Sequence, residues 1–251
     1  MSTHYYYLLV NLGCIIVPFL FSFHPKLQFY KKWKAFIYGV VAMMLVFIPW
    51  DMYFTSVGVW GFNPKYITGI YIGNIPIEEV LFFICIPYAC LFTYHCMKVL
   101  IPKPLTSHFY TVVLWLFALL SLFIAALYTE RAYTFVSHLV CGLFLLLHLT
   151  IPKSSYLNRF LLTYTIIFIP FIITNGILTG LDFLPYDFIN VNPDQITEKI
   201  VWYDNAENLG IRLFTIPIDD ISYGFFMLLL VTSVYEWESA SDARKHFPKT
   251  F

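Results

Sequence analysis

The chain has 251 residues, of which 59% are hydrophobic, 20% aromatic and only 12% charged, with 15 basic residues balancing 15 acidic ones. Soluble domains carry roughly 25% charged residues, so this composition argues against a soluble globular domain, a disordered chain and a basic nucleic-acid binder. No Gly-x-Gly-x-x-Gly or other Gly-rich phosphate loop is present, so no nucleotide, flavin or other cofactor is expected. The five cysteines, Cys14, Cys85, Cys90, Cys96 and Cys141, lie in apolar runs without Cys-x-x-Cys spacing. They read as small hydrophobic side chains, with no metal site or disulfide framework indicated.

A helix needs about 20 mostly apolar residues to cross the hydrocarbon of a bilayer. Seven runs qualify, in chain order 5–23, 35–54, 77–96, 109–128, 133–151, 160–178 and 217–235. Strand periodicity is absent, and hydrocarbon offers the backbone no water, so the runs are predicted as helices. The first has no preceding basic region and no cleavage pattern, so it is expected to be a retained helix. Loop cations set the orientation. With the N-terminus outside and the C-terminus inside, Lys26, Lys31, Lys32, Lys34, Lys98, Lys103, Lys153, Arg159, Arg244, Lys245 and Lys249 face inwards. Only Lys65, Arg131, Lys199 and Arg212 face outwards. The carboxylates do the reverse: Glu236, Glu238 and Asp242 fall inside, and the rest lie outside or at outer helix ends. The chain is therefore expected to be a multi-pass protein of the cell (cytoplasmic) membrane, with the lipid bilayer as partner and its chemistry towards the outer side.

Two stretches resemble each other. Pro76-Ile77-Glu78-Glu79 opens the third run and Pro217-Ile218-Asp219-Asp220 opens the seventh; Asp51 and Asn175 end the second and sixth. The expected fold is an all-α membrane protein of seven transmembrane helices, built as two parallel three-helix repeats. The first repeat is 1–105, a linker span is 106–130, and the second repeat is 131–251. Each acidic pair sits in a first helical turn, where the helix dipole favours a carboxylate by about 0.3–1 kcal/mol. A capping role would need no more. Two pairs at matching points of two repeats, on helices that continue as apolar runs, favour function instead.

The doubled Pro-x-Glu-Glu/Asp motif resembles that of the integral-membrane lycopene cyclases, which occur as small heterodimeric subunits in some bacteria and as fused forms in others and in fungi. The resemblance extends through Trp50-Asp51, Phe54-Thr55, Gly58-Val59-Trp60, Gly69-Ile70 and Pro76 to Phe83, then Ile216 to Gly224 and Tyr235-Glu236. The chain departs from the family pattern at Asp219, where Glu is usual. The resemblance implies a carotenoid (lycopene beta-) cyclase: an intramolecular lyase or isomerase that closes the acyclic ends of lycopene, giving gamma- and beta-carotene with no net redox change. A carboxylic acid protonates the terminal double bond, an internal double bond attacks the tertiary cation, and a base removes a ring proton. Lycopene or a related acyclic carotene is the implied partner, with other membrane enzymes of carotenoid synthesis beside it and no nucleic acid.

The residues suit that chemistry. Two adjacent carboxyls in a poorly solvated site do not both ionise easily, so acid and base roles can be divided within or between pairs. Glu78 and Glu79 are the first candidates, Asp219 and Asp220 the second. Trp50, Trp60, Phe82, Phe83, Trp202, Tyr203 and Tyr223 lie near the acidic motifs in sequence. They are candidate pocket aromatics able to stabilise a cation, or members of an interfacial aromatic belt. Phe82 and Phe83 stand three to four residues beyond the pair on the same helix side. Asp51 and Asn175 either orient a carboxyl or are merely solvated. The histidines read as packed or interfacial groups. The long connection 179–216 is either a lid or a solvated loop. Of the other seven-span functions, a retinal pigment is rejected because no span interior holds a lysine. A diphosphate-binding prenyltransferase lacks its Asp-rich motif. A proton-coupled transporter of a small apolar or amphipathic molecule is the alternative, since parallel repeats and intramembrane carboxylates fit one.

Overall fold

A computed structural model describes residues 3–103, 107–151, 156–189 and 192–246, with side chains as far as residue 241. Lys153 and Lys249 of the charge count lie outside the described residues, as does the boundary at 105–106. Seven α-helices carry the fold: α1 (Tyr6–Phe21), α2 (Trp33–Val57), α3 (Ile77–Leu100), α4 (His108–Leu127), α5 (Ala132–Thr150), α6 (Leu157–Thr179) and α7 (Asp219–His246). They fall on the seven expected runs. The first six are long and apolar enough to cross a membrane, and the chain is a membrane protein. The seventh does not reach that measure, because Asp219 and Asp220 occupy its first turn and Glu236 and Glu238 follow its apolar centre.

Local chemistry sets the helix ends. The α2 helix stops where Gly58 takes the left-handed conformation (φ 80°) that a side chain disfavours. The α3 helix starts after Pro76, whose extended backbone precedes a first turn holding Glu78 and Glu79. Pro18, Pro49, Pro87 and Pro170 lie inside helices. Each removes one backbone hydrogen bond, which helix neighbours make tolerable in a membrane bundle.

The helices pack as α1 on α3 and α5 on α7, with α2 against α7 and α6 against α3; α4 lies on α5. Their shared core is aromatic and aliphatic, with Phe29, Met43, Phe47, Phe83, Leu114, Leu145 and Leu229 fully buried.

Among the described residues, six short strands in the connections after α2 and α6 were not foreseen from hydropathy. β1 (Trp60–Phe62) pairs antiparallel with β4 (Val201–Tyr203), Trp60 opposite Tyr203. β2 (Tyr71–Ile72) and β3 (Ile75–Pro76) form a hairpin leading into α3, and β5 (Arg212–Leu213) and β6 (Ile216–Pro217) form one leading into α7. The registers match: Tyr71 faces Pro76 as Arg212 faces Pro217. The connection after α6 is therefore not a solvated loop throughout. Ile196, Ile200, Asn208, Arg212 and Thr215 are buried in it, and β4 ties it across the bundle to β1.

Candidate active site

Beneath the β1–β4 ladder lies a cavity of about 260 Å³, with apolar walls drawn from α1, α3, α6 and α7. Three carboxyls reach it: Asp51 from the end of α2, Glu79 from the start of α3 and Asp220 from the start of α7. They are 2%, 8% and 6% exposed, so each depends on hydrogen bonds to offset lost hydration.

The supporting groups are specific. Tyr7 donates its hydroxyl to Glu79 Oε2. Trp60 Nε1 donates to Asp51 Oδ1 at 2.5 Å, and Asp51 Oδ2 has no hydrogen-bond partner. Asp220 receives two phenols, Tyr133 on Oδ1 at 2.5 Å and Tyr203 on Oδ2 at 3.2 Å. Burial and the neighbouring Asp220 hold the Tyr203 phenol well above its ordinary pKa, so this hydroxyl remains a donor.

The other member of each pair does something different. Glu78 and Asp219 do not line the cavity; both are fully buried. Glu78 Oε1 accepts the backbone N–H of Thr68 at 2.7 Å. Asp219 Oδ2 accepts that of Leu209 at 3.1 Å, and its Oδ1 accepts the Thr134 hydroxyl at 2.7 Å. Each carboxyl thus pins the segment that leads into its own hairpin. One step along a helix turns a side chain by about 100°, so adjacent carboxyls cannot face the same wall. His138 Nδ1 stands 3.8 Å from Asp219 Oδ1, a proximity that sequence spacing did not signal.

The aromatic candidates divide likewise. Trp60, Phe82 and Tyr223 line the cavity, as does Asn175. Trp60 lies with its ring centroid 5.1 Å from Tyr133, 6.1 Å from Tyr203 and 6.1 Å from Tyr223, and Tyr133 lies 6.0 Å from Tyr223. Four rings therefore enclose the acid end. Trp50 and Phe83 do not line it. Phe83 turns into the core, 5.8 Å from Phe82 and 6.0 Å from Phe47. Trp50 packs behind Tyr223 at 5.1 Å. Both brace lining rings from outside.

Tyr7 and Tyr133 were missed because each reads as one more apolar or interfacial aromatic; Tyr203, a candidate from its place near the acidic motifs, lines the cavity, and its neighbour Trp202 does not. One signal was present: Tyr7 and Tyr133 are each the second residue of their helices, α1 and α5, which the expected repeat would pair. Among the described residues no group of three His, Cys, Asp or Glu side chains is placed to hold a metal ion.

Fold and cavity together define a membrane-embedded helical protein with an acid-lined, aromatic-walled site. The chain belongs to the lycopene cyclase family, whose profile, described as "Lycopene cyclase", matches residues 4–97 and 130–238. It is also similar to a bifunctional lycopene cyclase/phytoene synthase of Pyrenophora tritici-repentis (strain Pt-1C-BFP), 33% identical over 84 residues. That stretch covers 33% of this chain and 14% of the relative's length. No solved structure matches.

Proposed function

We propose that the protein is a carotenoid cyclase that closes the ends of lycopene by proton-initiated isomerisation. The observation that carries this is the convergence of Glu79 and Asp220, from two different helices, on one apolar cavity whose acid end is ringed by Trp60, Tyr133, Tyr203 and Tyr223.

The hydrogen bonds support a division of roles. Glu79 accepts one hydrogen bond, from Tyr7 on Oε2, so its other oxygen is the place for a transferable proton. That proton adds to the terminal double bond of the substrate and leaves a tertiary cation. The Tyr7 hydroxyl then stabilises the carboxylate that remains. An internal double bond attacks the cation and closes the ring. Asp220 accepts on both oxygens, as a carboxylate does, and is the base that removes the ring proton; exchange with water then takes that proton from Asp220 and reloads Glu79 for the next ring. Substrate and product are isomers. The four rings present π faces to the cation, each such contact contributing about 0.5–2 kcal/mol. Asp51 fixes Trp60 and keeps an oxygen free beside the same space. Glu78 and Asp219 act as positioning residues through the hairpins they anchor.

We also read α7 as a seventh span, the halves 1–105 and 131–251 as repeats and 106–130 as the linker. Matching hairpins, matching tyrosines and the reciprocal packing of α2 on α7 and α6 on α3 support this. The loop-charge bias supports an acid end on the outer side. The exposed residues Lys31 and Asp187 test the sidedness: a membrane-impermeant maleimide on intact cells should modify an Asp187→Cys variant and spare Lys31→Cys until lysis. The opposite labelling pattern would invert the orientation.

The chemistry itself is tested by giving the protein lycopene in deuterium oxide without added nucleotide. Each new ring should carry one solvent deuteron, and the same reaction in ordinary water should give a product isomeric with the substrate. A ring without the label excludes protonation by an exchangeable acid. Unchanged lycopene, in a host that inserts the protein, would instead favour a carrier.

A further inference from the structure

The cavity extends well beyond the acids. On α3 its wall is formed by Glu79, Phe82, Ile86, Ala89, Cys90 and Thr93, a single helix face in steps of three and four. At about 1.5 Å of rise per residue that face runs for about 21 Å. The helices α1 and α6 flank it. Cys14 and Pro18 line the cavity from α1, and Phe168, Pro170, Phe171 and Thr174 line it from α6. The two helices meet where Cys14 Sγ lies 3.3 Å from Thr174 Oγ1.

The two ends of this groove differ. At the acid end Tyr7, Asp51, Trp60, Glu79, Tyr133 and Asp220 are all buried, and the β1–β4 ladder closes the top. Farther along, Pro170 lines the cavity while being exposed on the helix surface, and Pro18, Phe168 and Phe171 beside it are half-buried. The surface around this mouth is apolar, with Val17 58%, Ile169 68% and Ile173 51% exposed. In a membrane protein such a surface meets hydrocarbon, not water. On the other flank of α7, Phe47 fills the seam, its ring 5.0 Å from Tyr223 and 5.2 Å from Phe226. The groove is thus blind at the acids and open sideways between α1 and α6.

We infer that the α1–α6 cleft, floored by α3, binds the non-reacting arm of an elongated apolar polyene and lets its far end leave the protein into lipid hydrocarbon. This rests on the cyclase reading of the acid end. The length decides it: an extended forty-carbon acyclic polyene is longer than the groove, so with one terminus at Glu79 the other must project. The cleft wall carries no charged side chain beyond Glu79, so nothing there reads the far terminus. The protein therefore handles one end at a time and is indifferent to the chemistry of the other.

The test uses the native protein in liposomes with two substrates, lycopene and an acyclic carotene of the same length bearing a bulky apolar hydrocarbon cap on one end. Ring closure at the free end should proceed on both with kcat/KM within about threefold of each other. A companion carotene with a diazirine midway along its arm should, on illumination, attach to peptides containing residues 14–18 and 168–174, and one with the diazirine at its far end should attach to lipid. If lycopene is converted and the capped carotene is not, or if the midway probe marks α4 or α5 instead, the cleft assignment is overturned while the cyclase reading stands. If neither substrate is converted, the cyclase reading fails and the arm site falls with it.

Discussion

Glu79→Gln is expected to lower ring formation by about 10²–10⁴, the range that a positioned general acid contributes, while Glu78→Gln retains most of the activity. The two substitutions are chemically identical and adjacent, so the contrast isolates placement. Glutamine at 79 still fits among Tyr7, Phe82 and Asp51 and can still accept the Tyr7 hydroxyl, but its amide has no acidic proton to deliver. Glutamine at 78 keeps the carbonyl oxygen that accepts the Thr68 N–H, so the turn before β2 persists and α3 starts in the same phase. Glu78→Ala is the informative third variant. It strands a backbone N–H, a loss of about 1–3 kcal/mol, and should appear as reduced thermal stability before it appears as reduced turnover. Product analysis after expression in lycopene-accumulating cells, normalised to inserted protein, measures the first two. Loss in Glu78→Gln with full activity in Glu79→Gln would exchange the roles assigned to the pair.

What hydropathy and repetition disclosed, and what they did not, follows from the range of the forces involved. Span positions were readable because burial in hydrocarbon acts on every residue of a long run, and the helices fall within a few residues of the expected bounds except where α7 continues past Tyr235. The acidic pairs were readable because the Pro-Ile-acid-acid motif occurs twice in the sequence. Which member faces the cavity was not, because a helix's rotational phase is fixed by the hairpin before it, and those hairpins are two residues per strand. Strands β1 and β4 are three residues each and far apart in sequence, so their pairing leaves no periodic trace. Yet this pairing brings Tyr203 over Asp220 and Trp60 over Asp51. Phe83 shows the limit of spacing arguments: four residues beyond Glu79 is near the same face, but the crowded core around Phe47 takes the ring, and Phe82, three residues on, takes the cavity.

Asp220→Asn is expected to fail at the other end of the reaction, and in a different manner. If Asp220 removes the ring proton, the variant can still protonate the substrate from Glu79 and still close the ring, because neither step involves the α7 carboxyl directly. The cyclic cation then lacks its base. It must revert, lose a proton to whichever oxygen lies nearest, or add water to give a ring alcohol. Total turnover should fall by about 10²–10⁴, and the residual product should shift towards other ring isomers or hydroxylated rings. Asp51 Oδ2, which has no hydrogen-bond partner, lines the same cavity and is an alternative acceptor, so the double variant Asp51→Asn with Asp220→Asn should lose a part of the residual ring isomers as well. Tyr133→Phe tests the same assignment more gently: it removes one of two O–H donors from Asp220, a hydrogen bond to a charged group contributing about 1.5–3 kcal/mol, and leaves Tyr203 in place. Its rate should lie between native and Asp220→Asn with the native product retained. The decisive measurement is the product spectrum of Asp220→Asn by mass spectrometry and NMR. If its residual product is the native carotene alone, in native ratio, Asp220 does not choose which proton leaves, and its two phenol donors serve only to hold α7 under the ladder.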